Sequence, residues 1–450
     1  MQREEHDGDL VSREVDRSHW IVTSKRRHAA GALVVYSLLK LSHNIVVMCA
    51  VRSVLALVLF VIIMIPAGAR ESASSDPYFD ARQHTGEYNG PGRETLSPLN
   101  VAEILIAYFG PAEDRHPEWG DAWRGAQLAI NDANAEGGYR GKPFRLIAAW
   151  SENPWGTGVS RLTRMIYVDG VWAIVGGVNG ETTHLAEQIA VKARLPLVSP
   201  GNTDLSVNMT NVPWTFTCLP TDDIQAETLG EAMLAEIGDK EYASIATTDH
   251  DSRATLHEFR SYLAHRGRRP TLHIDSFPGA QAAEGVAMRI VAAHPRAVLL
   301  TATSRDSARL AKALRAAGFK GTIYGGAPLA RRVFAVEAGE AAEGTVAPLL
   351  FEPVPAWNEF SARFERRFGV KADFMAGQTY DAVRLTIAAI RDAGLNRSLI
   401  LDAIRKRSPW QGVTGAHDWD PMGRNRRRVR LGRVRAKRRI VIGLGEDEPG

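Results

Sequence analysis

The stretch INDANAEGGYRGKPFRLIAAW, residues 130–150, decides how this chain is read. It runs from the alanine-rich end of a helix through a double glycine and a second glycine turn into an apolar, strand-like run. Gly137 and Gly138 reach positive φ without the steric cost other residues meet, which suits a helix C-cap. Gly141 and Pro143 set a second bend before residues 144–150. A helix that passes so quickly into a strand is part of an α/β unit.

Working outward, the same alternation repeats. AEILIAYFG (102–110), PFRLIAAW (143–150), VWAIVGG (171–177) and LPLVSPG (195–201) read as strands, with helices over 119–135, 159–168 and 183–193 between them. Trp123, Ala126, Ile130 and Ala133 fall at steps of three and four, on one buried helix face. A second series follows: YASIATT (242–248), PTLHIDSF (270–277), AVLLTAT (297–303) and GTIYGG (321–326) as strands, with helices over 254–266, 282–293 and 307–317. Helices are expected at 357–368, 379–393 and 398–407, then a strand-rich tail. Near-continuous apolar strands separated by amphipathic helices predict parallel sheets covered on both faces. The fold class is therefore α/β, with two doubly wound lobes, and a ligand belongs at the carboxyl ends of their strands.

Composition bounds the rest. At 450 residues with 45% hydrophobic residues, the chain supports two cores. Two cysteines, Cys49 and Cys218, give no structural disulfide and no zinc spacing. The 13 histidines form no His-x-x-x-His pair flanking a Glu, which argues against a metal site. No cofactor is expected. Residues 424–439 hold ten basic residues and no acid, whereas the body between the ends is net acidic. Nucleic-acid binding, which spreads a basic footprint over a recognition element, is thereby disfavoured. Val429, Leu431 and Val434 alternate with arginines in that run as in a strand with one charged face, either solvated or turned to an anionic partner.

At the N-terminus, residues 54–65 are an apolar run too short to span a membrane. Arg52 before it and Ala67-Gly68-Ala69 after it give the order of a secretory signal. The expected organisation is an extension plus signal peptide over 1–69, with translation starting at Met48 and cleavage near Ala69, so that the product is periplasmic. Retention of the run as an anchor is the competing reading. Residues 70–99, polar and containing Gly and Pro, are expected to be a disordered leader.

The loops after the strands are rich in glycine and hydroxyls. Residues 176–183, GGVNGETT, open a helix whose free N–H groups suit an anion, or a plain cap at Thr182 or Thr183. Ser199 to Thr203 form a similar loop. Asp222 and Asp223 fall at a helix start, where acids favour the dipole. His250 and Asp251, adjacent in a loop after a strand, read either as a catalytic base pair or as exposed residues, and the second is expected because no nucleophile elbow accompanies them.

Eight segments in order carry a resemblance: INDANAEGGYRGKPFRL, VWAIVGGVNGETT, ARLPLVSPGNTD, TFTCLPTDD, LRAAGFKGTIYGG, AGEAAEGT, TYDAVRLTIAAI and GVTGAHDWDPMG. Together, over about residues 101–443, they resemble the type 1 periplasmic solute-binding proteins of ABC transporters, in the branched-chain amino acid and amide branch. The resemblance implies two lobes joined by three crossings, 101–220 with 351–410 and 221–350 with 411–443, followed by a tail at 444–450. It also implies a monomer that closes on a small solute and delivers it to an ABC permease of the inner membrane. It places Trp119 over the ligand, Gly180 beside Glu181 and Thr182 at the carboxylate loop, and Gly201 and Thr203 in the next. Ser252 and Thr303 stand where the family often has aromatics, and Ala327 where it has the acid that holds an α-ammonium. An unpaired buried ammonium is costly, so the expected ligand is not a standard branched-chain amino acid. Trp119 and Trp155 suggest an apolar or flat one. An extracytoplasmic sensor or accessory subunit would use the same cleft. An enzyme is disfavoured, for want of a triad, metal set or phosphate loop, and a transcription factor because no helix-turn-helix precedes Val101.

Overall fold

In the computed structural model the opening stretch does what its glycines require. Gly137 and Gly138 have φ of +96° and +66°, and a Cβ on Gly138 would lie 2.1 Å from the Lys142 carbonyl oxygen. Tyr139 and Lys142 exchange both main-chain hydrogen bonds across Arg140 and Gly141, whose positive φ values, 52° and 79°, suit a type I′ turn. Asn134 then clamps helix to strand, its side-chain amide donating to the Phe144 carbonyl at 2.9 Å and accepting from the Phe144 N–H at 2.8 Å.

The structure describes residues 88–442 apart from 149, 211, 280–282, 353 and 437, and of 438–442 the backbone alone. The signal-like run and its cleavage site lie outside them. Along the first lobe come β1 (Ile104–Phe109), α1 (Gly120–Ala135), β2 (Phe144–Ala148), α2 (Val159–Tyr167), β3 (Ile174–Gly176), α3 (Gly180–Ala193), β4 (Leu197–Ser199), α4 (Leu205–Met209) and β5 (Thr215–Thr217). The five strands are parallel in the order β2-β1-β3-β4-β5, a doubly wound sheet whose switch point lies between β1 and β3.

The second lobe begins with α5 (Asp222–Ile237) and repeats the plan: β6 (Tyr242–Thr247), α6 (His250–His265), β7 (Leu272–Ser276), α7 (Ala283–Ala292), β8 (Ala297–Thr301), α8 (Ser304–Ala316), β9 (Thr322–Tyr324), α9 (Arg332–Ala338) and β10 (Val346–Leu349). The chain then returns to the first lobe as α10 (Pro355–Phe368), α11 (Phe374–Ala393), α12 (Arg397–Lys406) and the hairpin β11 (Trp410–Gly412) and β12 (Gly415–His417). It ends in β13 (Arg430–Arg435) and β14 (Arg438–Ile442), antiparallel strands that extend the second sheet to β14-β13-β10-β9-β8-β6-β7.

Helix α11 is the spine of the first lobe. It buries Ala376, Ala382, Val383 and Ile387 against α1, at a point so close that a Cβ on Gly125 would lie 2.1 Å from the Ala376 carbonyl oxygen. The three passages between lobes bring Leu219, Leu350 and Val429 into one apolar cluster with Val178, Ala327 and Phe374.

Three features depart from the sequence reading. Residues 88–97, placed in a disordered leader, form a strap on the first lobe: Tyr88 packs on Trp214 with ring centroids 4.7 Å apart, Arg93 pairs with Asp402, and the Asn396 amide donates to the carbonyls of Gly92, Arg93 and Thr95. The third return lies near residue 427 rather than at 411. Buried Asp381 of α11 accepts from the N–H groups of Val413 and Thr414 and from the Thr414 hydroxyl, and Trp419 donates to the Thr217 carbonyl, which hold this stretch on the first lobe. Much of the basic run is paired internally, Arg424 with Asp420 and Asp223, Arg426 with Asp418, and Arg433 with Glu236.

Candidate functional site

The carboxyl ends of both sheets face each other across the passages between lobes, and their loops line a cavity of about 100 Å³. At roughly 10–15 Å³ for each water, that is room for several waters or a small solute. Val178, Leu219, Phe374 and Met375 supply an apolar wall, with Trp119 at one side.

Arg331 dominates the polar side. It follows the 3₁₀ turn Ala327–Ala330 and is only 3% exposed. Its Nε donates to Asp373 Oδ2 at 2.7 Å and its Nη2 to the Glu118 carbonyl at 2.8 Å, while the guanidinium carbon stands 5.1 Å from the centroid of the Trp119 ring. Burial alone would raise the Asp373 carboxyl, but the Arg331 charge beside it holds it below the ordinary value. Nη1 has no protein hydrogen-bond partner among the described residues, and the residue lines the cavity. Ser304 is a second donor there: it opens α8, its N–H donates to Glu118 Oε1 at 3.2 Å, and its buried hydroxyl has no partner among the described residues.

The same groups tie the lobes together, since Arg331 and Ser304 belong to the second lobe and Asp373 and Glu118 to the first. Arg332 adds a clamp on Asp121, its Nη2 donating to Oδ1 and Oδ2 at 3.0 and 2.9 Å and its Nε to Oδ2 at 3.2 Å. Across the cleft, Asp251 accepts from the Gly180 N–H at 2.5 Å and from the Glu181 N–H at 3.5 Å. The anion-attracting end of α3 is thus taken by a carboxylate of the chain itself. Glycine is needed at 180, because a Cβ there would come within 2.7 Å of Asp204 Cβ and 2.8 Å of Asp251 Oδ1. Loss of solvent pushes the Asp251 carboxyl up to about 6. Asp222, fully enclosed, accepts from the hydroxyls of Thr203 and Thr255 at 3.2 and 2.9 Å, and burial raises it well above the ordinary carboxyl range.

Of the residues named from the sequence, Trp119, Gly201, Thr203, Ser252, Thr303 and Ala327 meet around the cavity. Gly180, Glu181 and Thr182 do not line it. Asp251 stands in front of the first two, the Glu181 side chain accepts from the Trp155 indole at 2.7 Å, and Thr182 shares a capping box with Asn179. Trp155 is 54% exposed and lies outside the cavity. Asp251, expected in an exposed loop, is instead a contact between lobes. Sequence reasoning missed Arg331, Ser304 and Phe374, for which no spacing gave a signal. It also gave no sign that His184, Asp204 and His250 would converge at the rim of the cleft.

Comparison with known proteins agrees with this architecture. The family model for periplasmic binding proteins matches residues 110–439. An amino acid binding protein of Pseudomonas aeruginosa is 23% identical over 333 residues, 73% of this chain and 89% of that one. The substrate-binding protein LivJ of Streptococcus pneumoniae, solved with isoleucine, matches with a TM-score of 0.69 at 19% identity, over 76% of this chain and 99% of that one. A solute-binding protein from R. palustris, solved with benzoate, matches at 0.67 and 15% identity, over 76% and 96%. The two doubly wound lobes have the fold of these solved solute-binding proteins, and this chain belongs to the periplasmic binding protein family.

Proposed function

We propose that this chain is an exported solute-binding protein that closes on a small carboxylate with an apolar or flat body and hands it to an ABC permease of the inner membrane. One observation carries the choice of ligand. The cavity is lined by Arg331 and by Ser304, whose hydroxyl has no partner among the described residues, beside Trp119 and Phe374, whose ring centroids lie 5.1 and 5.8 Å from the Arg331 guanidinium carbon. A carboxylate would take charge-assisted hydrogen bonds from the first pair and the apolar body would pack on the second. Ala327 lines the cavity where the family resemblance expects the acid that holds an α-ammonium, and the two carboxylates that do line it are engaged within the chain, Asp251 by the N–H groups of Gly180 and Glu181 and Asp249 by the Ser252 N–H and the Thr247 hydroxyl. The amino acid ligands named for two relatives are therefore not carried over to this chain. Benzoate, named for a third, fits the chemistry better.

Among the described residues no helix is long and apolar enough to cross a membrane. Export rests on the signal-like run, and N-terminal sequencing of the secreted chain should find a start near Arg70. The ligand is tested by thermal shift with benzoate, aliphatic monocarboxylates, amides, leucine, isoleucine and valine. Carboxylates lacking an α-ammonium should stabilise the protein, and loss of a charge-assisted bond should weaken the branched-chain amino acids by roughly ten- to a hundredfold. Micromolar binding of leucine with no response to any simple carboxylate would overturn the proposal.

A further inference from the structure

The rim of the cleft carries a second constellation, separate from the solute cavity. His184 of α3 and Asp204, the residue that caps α4, belong to the first lobe, and His250, the first residue of α6, belongs to the second. One nitrogen from each imidazole and one oxygen of the carboxylate lie within 4.8 Å of one another. His250 Nε2 is 2.7 Å and His184 Nε2 3.4 Å from Asp204 Oδ2, and the two rings meet edge to face at 5.7 Å.

We propose that His184, Asp204 and His250 form a binding site for a divalent transition metal of the zinc class that bridges the two lobes. Donors around a tetrahedral zinc, at about 2.0–2.1 Å, are separated by roughly 3.3 Å, so the ion requires the Asp204–His250 contact to widen from 2.7 Å and the two histidine nitrogens, now within 4.8 Å, to settle at that spacing. Two imidazoles and a carboxylate favour zinc, nickel or copper over calcium or magnesium, which prefer all-oxygen cages.

The groups behind the ligands are also those such a site requires. Asp204 Oδ1 accepts from the Ser206 N–H and hydroxyl, both at 2.8 Å, which turns Oδ2 toward the histidines. The other ring nitrogen of His184 stands 3.8 Å from Glu187 Oε2, an approach that must shorten by about 1 Å to become the carboxylate–histidine hydrogen bond that orients a metal-bound imidazole. His184 Nε2 at present shares the Ser206 hydroxyl at 2.9 Å, a contact the metal would replace. The groove of about 350 Å³ beside the cluster is lined by His257 and Glu258 as well, so a cation there meets further donors and negative charge. With ligands from both lobes, the ion binds the closed arrangement and shifts the lobe equilibrium toward it.

The test is a calorimetric titration of the chelator-treated full chain with Zn²⁺, alongside His184→Ala, His250→Ala and Glu187→Gln. His250 is 43% exposed in its side chain, so its removal spares the fold, which the melting temperature without metal would check. Each histidine variant should lose one equivalent of Zn²⁺ relative to the parent chain, and Glu187→Gln should keep it with affinity weakened about 10–100-fold. Zn²⁺ should raise the melting temperature of the parent and not of His250→Ala. Equal stoichiometry and affinity in the parent and both histidine variants, or no Zn²⁺ bound by the parent, would overturn the assignment. No solute enters these measurements, so their outcome is independent of the carboxylate reading.

Discussion

Replacing Arg331 with methionine tests how the lobes are held closed. The guanidinium is 3% exposed and its partner Asp373 has a side chain 4% exposed, with 2.7 Å between them. Deleting one partner of such a pair leaves the other charge buried, at a cost of about 3–5 kcal/mol. Asp373 keeps the N–H groups of Ala376 and Arg332, at 3.2 and 3.3 Å, which places the effect at the lower end of that range. The two residues sit on different lobes, so opening the cleft returns Asp373 to water without unfolding either lobe. The penalty should therefore fall on closure. About 3 kcal/mol is roughly a hundredfold in the closed-to-open ratio, and a ligand that needs the closed form loses affinity by up to that factor through closure, in addition to the direct bond from Arg331. Small-angle scattering of Arg331→Met should show a more open particle, and Asp373→Asn in the same chain should recover more than about 0.5 kcal/mol beyond additivity, the level at which independent sites add. Unchanged scattering together with strict additivity would refute the idea that this pair closes the lobes.

Three further outcomes follow from particular contacts. Gly180→Ala drives a Cβ to 2.8 Å from Asp251 Oδ1 and should oppose closure by about 1–3 kcal/mol; an unaltered scattering curve would contradict the contact. Asn134→Ala orphans both main-chain groups of Phe144 and should cost about 1–3 kcal/mol in denaturant unfolding, whereas a loss below about 0.5 kcal/mol would reject the clamp. Burial raises Asp222, so the folded chain keeps a proton that the unfolded chain releases above about pH 4. That contribution is fully present below pH 4 and is lost as pH rises toward the folded-state value. The melting temperature of the parent should fall from pH 5 to 8 more than that of Asp222→Asn, and parallel curves would show that Asp222 is ionised in the fold.

The α/β alternation was legible because it is written locally. A parallel strand buried on both faces is a short apolar run, and the glycines at 137, 138 and 141 mark where the backbone must take positive φ. The strap at 88–97 was not legible, since its own residues are polar and its order comes from Asn396, whose amide reaches three of its carbonyls. The hairpin at 410–417 was misplaced for the same reason: Asp381, on a helix already passed, decides which lobe holds it.

The cleft divides along the same line. Trp119, Thr203, Ser252 and Thr303 reach the cavity because loops after parallel strands converge there whatever their side chains, so position in the α/β order suffices. Gly180 fails as a lining residue because a residue of the other lobe, Asp251, comes between it and the cavity, and no local pattern reports on a contact across a hinge. Arg331 reads in sequence as one of two arginines opening a helix, which composition assigns to solvent. It is buried because Asp373, the cap of α11, meets it from the opposite lobe. His250 obeys the same rule, since its contact with Asp204 exists only when the lobes are closed, whereas His184 and Asp204 share the first lobe. The groups hardest to read from the sequence are thus those that couple the lobes, and a change at Arg331, Asp251 or His250 should alter closure more than it alters either core.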